Sequence, residues 1–318
     1  MRSKSSLCQA TRPWFRSRTN GGAILVLLLA VTAMVAGSTA FGQSLNWEGQ
    51  TGIFVTPMAY LAPSTDKGFG VPVVGYHYFN GGPVLGGFHQ ASVTMGAFKR
   101  LEFGYTRGLH DEGSTAGLSN LWGGGFNTFH GKLNLIEERD VGRSWLPTVS
   151  AGFVARSQVR NVGGVMLGKD TTNADYYVVA TKSVTEIHRL PLVFNLGYKA
   201  TNASLLGLAG NAPAYKGRLF GAAAFVIRGP ARSTLILASE LMQEPRNVEG
   251  LPNAVIPTTI TYALRIVPAG AFFSRIGWMD ERPKLTIDLG VAQVAGTIQP
   301  GVNLQARQQF ALGVSYGF

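Results

Sequence analysis

Histidine, serine and acidic residues are the side chains of this sequence that could perform catalysis. An acyl-hydrolase needs a serine and a histidine on neighbouring elements, a polar group that orients the histidine, and oxyanion donors. The five histidines are His77, His89, His110, His130 and His188. Only His130 has a clearly inward phase in a predicted strand, and no serine motif stands near it. The sequence therefore favours a protein that is not an enzyme, with an acyl-hydrolase as a remote alternative.

Two further motifs could bind a metal ion or a phosphate. His110-Asp111-Glu112 could bind a divalent cation, but three adjacent residues without spaced partners are more typical of a solvated loop tip. Gly123-Gly124-Gly125 neither follows a predicted strand nor opens a helix, so it indicates a flexible loop. We expect no metal and no cofactor.

The basic residues are the more informative set. The alternation of side chains along the predicted strands places ten of them inward: Lys132, Arg156, Arg160, Lys199, Lys216, Arg218, Arg228, Arg265, Arg275 and Arg307. Only three acids share that phase, namely Glu102, Glu240 and Asp288. A wall lined with one sign of charge concentrates counter-ions, and rings of arginine and lysine select anions in pores. This pattern predicts a porin-like channel or a binding lumen for small anionic solutes.

A second interpretation of the same residues stays open. They could pair with the few acids, with backbone groups, or with lipopolysaccharide phosphates near the rims. A barrel of this size could also be filled by its own side chains and by the residues before Gly70. The protein would then be a non-conducting barrel with a structural, envelope-assembly or surface-binding role.

The strands that would position these residues are visible as a two-residue repeat. Segments of about ten residues alternate between apolar and small or polar side chains; Leu101, Phe103 and Tyr105 oppose Glu102, Gly104 and Thr106, for example. After the N-terminus, no run reaches eighteen consecutive apolar residues. We therefore predict an all-β fold: a transmembrane antiparallel β-barrel over residues 70–318, with about 12 strands and 10 or 14 as alternatives.

The strand count depends on residues 256–279. Ile260 to Ile266 and then Phe272, Ile276 and Trp278 keep their apolar side chains at even positions. This favours one long strand with a bulge at Pro268-Ala269-Gly270. The tight connections near 99–100, 186–189, 229–232 and 280–283 then lie at one end of the barrel. The longer segments 109–125, 159–173 and 202–214 lie at the other end.

The final nine residues form the most regular strand. Large apolar side chains occupy every second position, at Phe310, Leu312, Val314, Tyr316 and Phe318, and the residues between them are small or polar. We expect this strand to close the barrel.

The first forty residues indicate a cleaved signal peptide, which ends at Ala40 or at Gly42. Five basic residues precede the apolar run from Ala23 to Val35 and account for five of the +11 formal charges, which leaves +6 and weakens a nucleic-acid interpretation. Cys8, the one cysteine, is removed with this peptide. Residues 41–69 are irregular and predict a periplasmic or plug-like segment.

Several stretches resemble an uncharacterised family of bacterial outer-membrane β-barrel proteins, known only as a domain of unknown function. They are Ser144-Trp145-Leu146-Pro147, residues 175–182, residues 195–201 and the C-terminal strand. The resemblance implies an integral protein of the bacterial outer membrane, in contact with lipid and lipopolysaccharide. It also implies that the insertion machinery reads the C-terminal strand. It brings no activity and no site residues.

Overall fold

A computed structural model describes residues 44–114, 122–138, 145–184, 191–256, 258–269, 285–295 and 308–318. Within these ranges, twelve of the fourteen strands form one closed barrel and two form a separate hairpin. The strands are β1 (Val73–Asn80), β2 (Gly87–Ala97), β3 (Leu101–Asp111), β4 (Phe126–Ile136), β5 (Thr148–Val159), β6 (Thr171–Val184), β7 (Leu192–Ser204), β8 (Gly210–Arg228), β9 (Thr234–Met242), β10 (Asn247–Val248), β11 (Leu251–Val255), β12 (Thr258–Val267), β13 (Leu285–Ala295) and β14 (Gln309–Gly317).

The barrel closes where its first and last strands meet. β14 pairs antiparallel with both β1 and β13, and its register with β1 runs from Val73 opposite Gly317 to Phe79 opposite Ala311. The remaining barrel strands pair in chain order, and β9 pairs directly with β12 because β10 and β11 form their own sheet. Closure satisfies the backbone hydrogen bonds that an open edge would expose to lipid. The predicted antiparallel barrel of about 12 strands is confirmed.

The two faces of each strand differ as the alternation predicts. In β3, the outward Leu101 and Phe103 are more than a third exposed, whereas the inward Glu102 and Thr106 are buried. In β14, Phe310, Leu312, Val314 and Tyr316 point outward, and Ala311 and Ser315 point inward; Phe318, just after the strand, is exposed. Such a continuous apolar outer surface is stable against lipid rather than water. The protein is therefore an integral outer-membrane barrel.

The connections distinguish the two ends of the barrel. The connections 98–100, 137–147 and 229–233 lie at the end where β1 begins and β14 finishes, which we call the short-turn end after the tight connections 98–100 and 229–233. The connections 81–86, 112–125, 160–170, 205–209 and 243–256 lie at the opposite end, which we call the long-loop end after the longer of them. Short helices, α1 (Gly82–Leu85), α2 (Val162–Met166) and a 3-10 turn (Pro230–Arg232), occupy some of these connections. None of the described helices is long and apolar enough to cross a membrane.

One predicted connection needs correction, and three other predicted features lie outside the described residues. Residues 202–214 are not a long loop, because β7 and β8 stay paired to Ser204 opposite Gly210 and a tight turn at 205–209 joins them. That turn takes positive φ at Leu205, Leu206 and Gly207. β12 ends at Val267, and the predicted continuation through Phe272 to Trp278 lies outside the described residues. The same holds for the connections 186–189 and 280–283.

Residues 44–62, which we call the lumenal segment, fill the interior of the barrel. Leu45 bridges to Thr51 and Gly52 to Pro57, so the segment folds back on itself twice. Phe54 and Met58 are fully buried in the central apolar cluster, together with inward residues of the wall such as Phe220 and Ile236. The chain then leaves at the short-turn end, where Phe69 bridges to Ala97.

Candidate functional site

The predicted basic residues fall into three groups. Lys132, Arg156, Lys199 and Arg265 are inward and buried. Arg218 is half-buried, and Arg160, Lys216 and Arg228 are exposed near the ends of their strands. Arg160 follows the last residue of β5, and Arg228 ends β8 at the short-turn end. Arg275 and Arg307 lie outside the described residues.

Lys132 on β4 and Glu102 on β3 together hold one part of the lumenal segment. Their side chains form an ion pair of 3.0 Å, and neither is exposed. The Lys132 ammonium also donates to the carbonyls of Met58 (3.0 Å) and Tyr60 (2.8 Å). The Glu102 carboxylate accepts from the backbone N–H of Thr51 (3.0 Å) and of Ala62 (2.8 Å). The wall thus supplies both donors and acceptors that the irregular backbone of the segment would otherwise lack.

Arg265 on β12 acts in the same way on the next part of the segment. Its Nε and Nη2 donate to Asp288 on β13 at 2.7 and 3.1 Å. Nη1 and Nη2 also donate to the carbonyls of Gly52 (2.9 Å) and Ile53 (2.7 Å). Arg265 is therefore bound on one side to the wall and on the other to the lumenal segment.

Glu240 on β9 binds the segment without a cation. Its carboxylate accepts from the backbone N–H groups of Phe54, Val55 and Thr56 at 3.1, 3.1 and 2.8 Å, and from the Thr56 hydroxyl at 2.6 Å. Successive backbone N–H groups that point to one oxygen form an anion-binding concavity. Here a wall carboxylate fills that concavity.

A chain of ion pairs runs from the lumenal segment to the long-loop end. Arg156 Nε donates to Glu48, and its Nη2 donates to Asp175 on β6 at 2.9 Å. The ammonium of Lys199 on β7 lies 3.6 Å from Asp175 and 3.6 Å from Glu244, which follows β9. Burial raises the pKa of Glu48 although Arg156 opposes the shift, and burial raises the pKa of Glu244 to about 7 although Lys199 opposes it.

The described interior therefore carries paired charges rather than unpaired cations. Each of its four buried cations contacts at least one carboxylate. Three of the acids involved, Glu48, Asp175 and Glu244, were absent from the three-acid set that the alternation predicts. Asp175 could have been found, because it lies in phase with Tyr177 and Val179 on the inward face of β6. Glu48 and Glu244 lie outside the periodic segments and carry no such signal.

The histidines also differ from the prediction. His130 is inward and buried as expected, but so is His77 on β1, whose ring meets that of Phe54 edge-on at 5.7 Å between centroids. The hydroxyl near His130 Nε2 is that of Thr94, at 3.4 Å. On the outer face, His89 binds Tyr76 Oη at 2.5 Å and Asp111 at 2.7 Å, so Asp111 of the predicted loop tip contacts a histidine. The described residues contain no group of three metal-ligating side chains.

A cavity of about 380 Å³ opens at the long-loop end, between the end of β9, the start of β12 and the hairpin of β10 and β11. Its polar lining consists of Arg218, Gln243, Glu244, Arg246 and Thr258. Arg246 is exposed, so the cavity reaches the protein surface there. Glu244 is buried, and its Oε2 atom has no hydrogen-bond partner among the described residues.

Comparison with known proteins finds barrels of the same class. No protein-family model matches the chain, and no curated protein does. Among solved structures, the KdgM porin matches with 10% identity over 77% of this chain and 99% of its own, at a TM-score of 0.42. The NanC porin matches with 12% identity over 78% and 100%, at 0.44. An outer-membrane channel from Pseudomonas putida F1 matches with 12% identity over 83% and 100%, at 0.41.

Proposed function

We propose that this protein is a porin-like outer-membrane channel for small anionic solutes, closed in the present state by its lumenal segment. The observation that carries the proposal is a local group of cations at the long-loop end, beside β8, β9 and the β10–β11 hairpin. Lys216, Arg218 and Arg246 are at least partly exposed there, against the carboxylate of Glu249 and the buried Glu244. The rest of this end carries charges of both signs: Arg160 and Lys169, and Asp111, Glu112 and Asp170. Longer loops of such barrels face the outside, so these cations would meet solutes before the lumen does. They would raise the local concentration of anions at the entrance.

The lumenal segment is suited to act as a closure that can leave. Its contacts with the wall include hydrogen bonds and ion pairs, for example from Lys132 to Tyr60 O and from Ser150 Oγ to Ala59 O at 2.6 Å, in addition to the apolar packing of Phe54 and Met58. When it leaves, Lys132, Arg265 and Lys199 keep wall carboxylates, whereas Arg156 loses Glu48 and keeps Asp175. These four wall cations would thus stay paired in the open state, whereas Glu240 would lose the backbone N–H groups that it binds.

A non-conducting barrel is the second candidate, and the filled lumen favours it. Residues 44–62 are nearly all buried, and their contacts reach β3, β4, β5, β6, β7, β9, β12 and β14. If the segment never leaves, the barrel would serve as a rigid membrane anchor for its long loops. We infer no catalytic role for either candidate.

Single-channel recording in a planar bilayer separates the two candidates. The refolded mature protein is compared with the Gly96→Ala variant, in which an added methyl group would collide with the lumenal segment 2.1 Å away at Ala62 O. We expect rare, brief openings of the wild type and frequent openings of the variant, with an anion-selective reversal potential under a salt gradient. If the Gly96→Ala variant folds but shows no conductance, the channel proposal is wrong and the protein is a non-conducting barrel.

Charge removal at the mouth tests the selectivity. In the Gly96→Ala background, Lys216→Gln and Arg218→Gln should shift the reversal potential toward zero, because both cations lie at the long-loop end. Arg232→Gln, an exposed residue of the short-turn end, is the matched control and should shift it less. Cation selectivity of the open channel would contradict the anionic solute class.

A further inference from the structure

The cavity at the long-loop end contains a buried carboxylate that its own protein leaves incompletely bound. Glu244 Oε1 lies 3.6 Å from the Lys199 ammonium, beyond hydrogen-bond distance, and Oε2 is buried without a partner among the described residues. A buried polar atom of this kind costs roughly 1–3 kcal/mol unless something binds it. Glu244 also lines the cavity, so a molecule in the cavity lies next to this side chain.

Two arginines of the same lining are oriented differently. Arg218 donates through Nε to the carbonyl of Glu244 (2.8 Å) and through Nη1 to the carbonyl of Gly217 (2.9 Å), which fixes its guanidinium and leaves Nη2 for another acceptor. Arg246 forms no ion pair within the described part of the chain, and its side chain is exposed. A guanidinium is suited to bind a carboxylate through two parallel hydrogen bonds.

The rest of the lining is partly apolar. Val255 and Ile256 line the cavity beside Thr258, and Ile256 is buried. The backbone N–H of Ile256 donates to the carbonyl of Arg246 at 2.9 Å, and that of Glu249 donates to Asn211 O on β8 at 2.7 Å. These bonds fix the β10–β11 hairpin that forms one wall of the cavity.

We propose that this cavity is a solute-binding site for small carboxylates that carry a hydroxyl group. Arg246 and Arg218 bind the carboxylate of the solute, the Glu244 carboxylate turns toward the cavity and binds its hydroxyl, and Val255 and Ile256 contact its carbon chain. The proposal deepens the proposed function, since it names the class of anion that would be collected at the mouth. Burial raises the pKa of Glu244 to about 7, so this group carries less than a full negative charge near neutral pH and repels an anion less.

Calorimetric titration of the refolded mature protein tests the site with three probes. Gluconate has both a carboxylate and hydroxyl groups, hexanoate has only the carboxylate, and sorbitol has only hydroxyl groups. We expect gluconate to bind at least about tenfold more tightly than either other probe, because only gluconate satisfies both the arginines and Glu244. Equal affinity for gluconate and hexanoate would overturn the role of Glu244, and no heat with any probe would overturn the site.

Variants locate the binding. Arg246→Gln should weaken gluconate binding by about tenfold or more, and Arg232→Gln, at the opposite end of the barrel, should not change it. Glu244→Met should lower the affinity for gluconate to that for hexanoate. If this variant fails to fold, Arg246→Gln decides alone, since that side chain is exposed. Unchanged binding in Arg246→Gln would overturn the proposal.

The titration and the channel recording can fail separately. Binding without conductance in Gly96→Ala would sustain the site and refute the channel. Anion-selective conductance without gluconate binding would sustain the channel and refute the site.

Discussion

The guanidinium of Arg156 in β5 donates through Nε to the carboxylate of Glu48 in the lumenal segment, 108 residues earlier in the chain. Both side chains are buried. Arg156 also binds Asp175, so this one residue joins a wall acid to an acid of the segment that fills the lumen. The stability of the closed state is therefore coupled to the charge of Glu48.

Replacement of Glu48 by glutamine should loosen the lumenal segment without unfolding the barrel. Arg156 keeps Asp175, so we expect a loss on the order of 2 kcal/mol rather than the larger cost of an unpaired buried arginine. A cysteine at Met58, which is fully buried in the segment, reports the change through a water-soluble maleimide. Labelling should be slow in Met58→Cys alone and faster in the double variant. Glu249→Gln in the same Met58→Cys background is the control. If the Glu48→Gln and Glu249→Gln double variants are labelled at equal rates, the stability of the closed state does not depend on Glu48.

Two inward glycines of the wall provide a matched pair of variants. A methyl group at Gly96 would lie 2.1 Å from Ala62 O and 2.9 Å from Ala62 C, both backbone atoms of the segment, so Gly96→Ala must displace it. A methyl group at Gly290 would meet Phe54 at 3.4 Å, an ordinary contact. In the Met58→Cys background, Gly96→Ala should speed labelling and Gly290→Ala should leave it unchanged. If Gly290→Ala speeds labelling more than Gly96→Ala does, the lumenal segment does not contact the wall as described.

Glu240 should be the most important single acceptor for the segment. Alanine would leave the N–H groups of Phe54, Val55 and Thr56 unpaired in a buried site, and each costs about 1–3 kcal/mol. We expect Glu240→Ala to lower the free energy of unfolding by about 3 kcal/mol or more, and Glu240→Gln, which keeps one acceptor oxygen, to lower it less. The midpoint of urea unfolding measures both. The outward neighbour Ser239→Ala is the control, and an equal effect of alanine and glutamine would contradict this account.

The alternation of side chains was sufficient to predict the barrel because the lipid-facing surface imposes one simple requirement at every second residue. Leu133, Phe153 and Leu237 need only be apolar, and their identity is otherwise free. The strand number followed for the same reason, from counting such segments. Even the phase of Lys132 and Arg265, which are both inward, was visible in the sequence.

The site was harder to predict because it depends on partners that no periodicity reveals. Glu48 lies in an irregular segment, and only its path through the lumen brings it to Arg156. Glu244 lies two residues beyond Met242, the last residue of β9. Inward phase also does not mean burial: Lys216 lies opposite Thr201 in the register but is exposed, because β8 extends beyond the barrel interior. The sequence shows which way a residue points, whereas the depth and the partner depend on the tertiary fold.

Glu244 should make the stability of the protein dependent on pH. Its pKa is about 7 in the folded state, and an ordinary glutamate carboxyl has a pKa of 4.5, so folding favours the protonated form. The stabilisation that this group confers is therefore complete below pH 4.5 and is lost as the pH rises through 7. Glu244→Gln removes the titration, so the variant should gain up to about 3 kcal/mol relative to the wild type between pH 5 and pH 8. Urea midpoints at both pH values measure this, and a constant difference between the two proteins would refute it.

Phe318, which directly follows the closing strand β14, should matter for assembly in the cell more than for the stability of the finished barrel. Its ring is exposed, it meets the ring of Tyr316 edge-on at 5.1 Å, and its backbone N–H donates to Pro72 O at 3.4 Å. If the insertion machinery reads this residue, Phe318→Ser should reduce the amount of heat-modifiable protein in the outer membrane. The purified variant should still refold in detergent with a urea midpoint close to that of the wild type. Phe69→Ser, an equally exposed aromatic of the short-turn end, should assemble normally. A Phe318→Ser variant that assembles as well as the wild type would refute the role of Phe318 as an insertion signal.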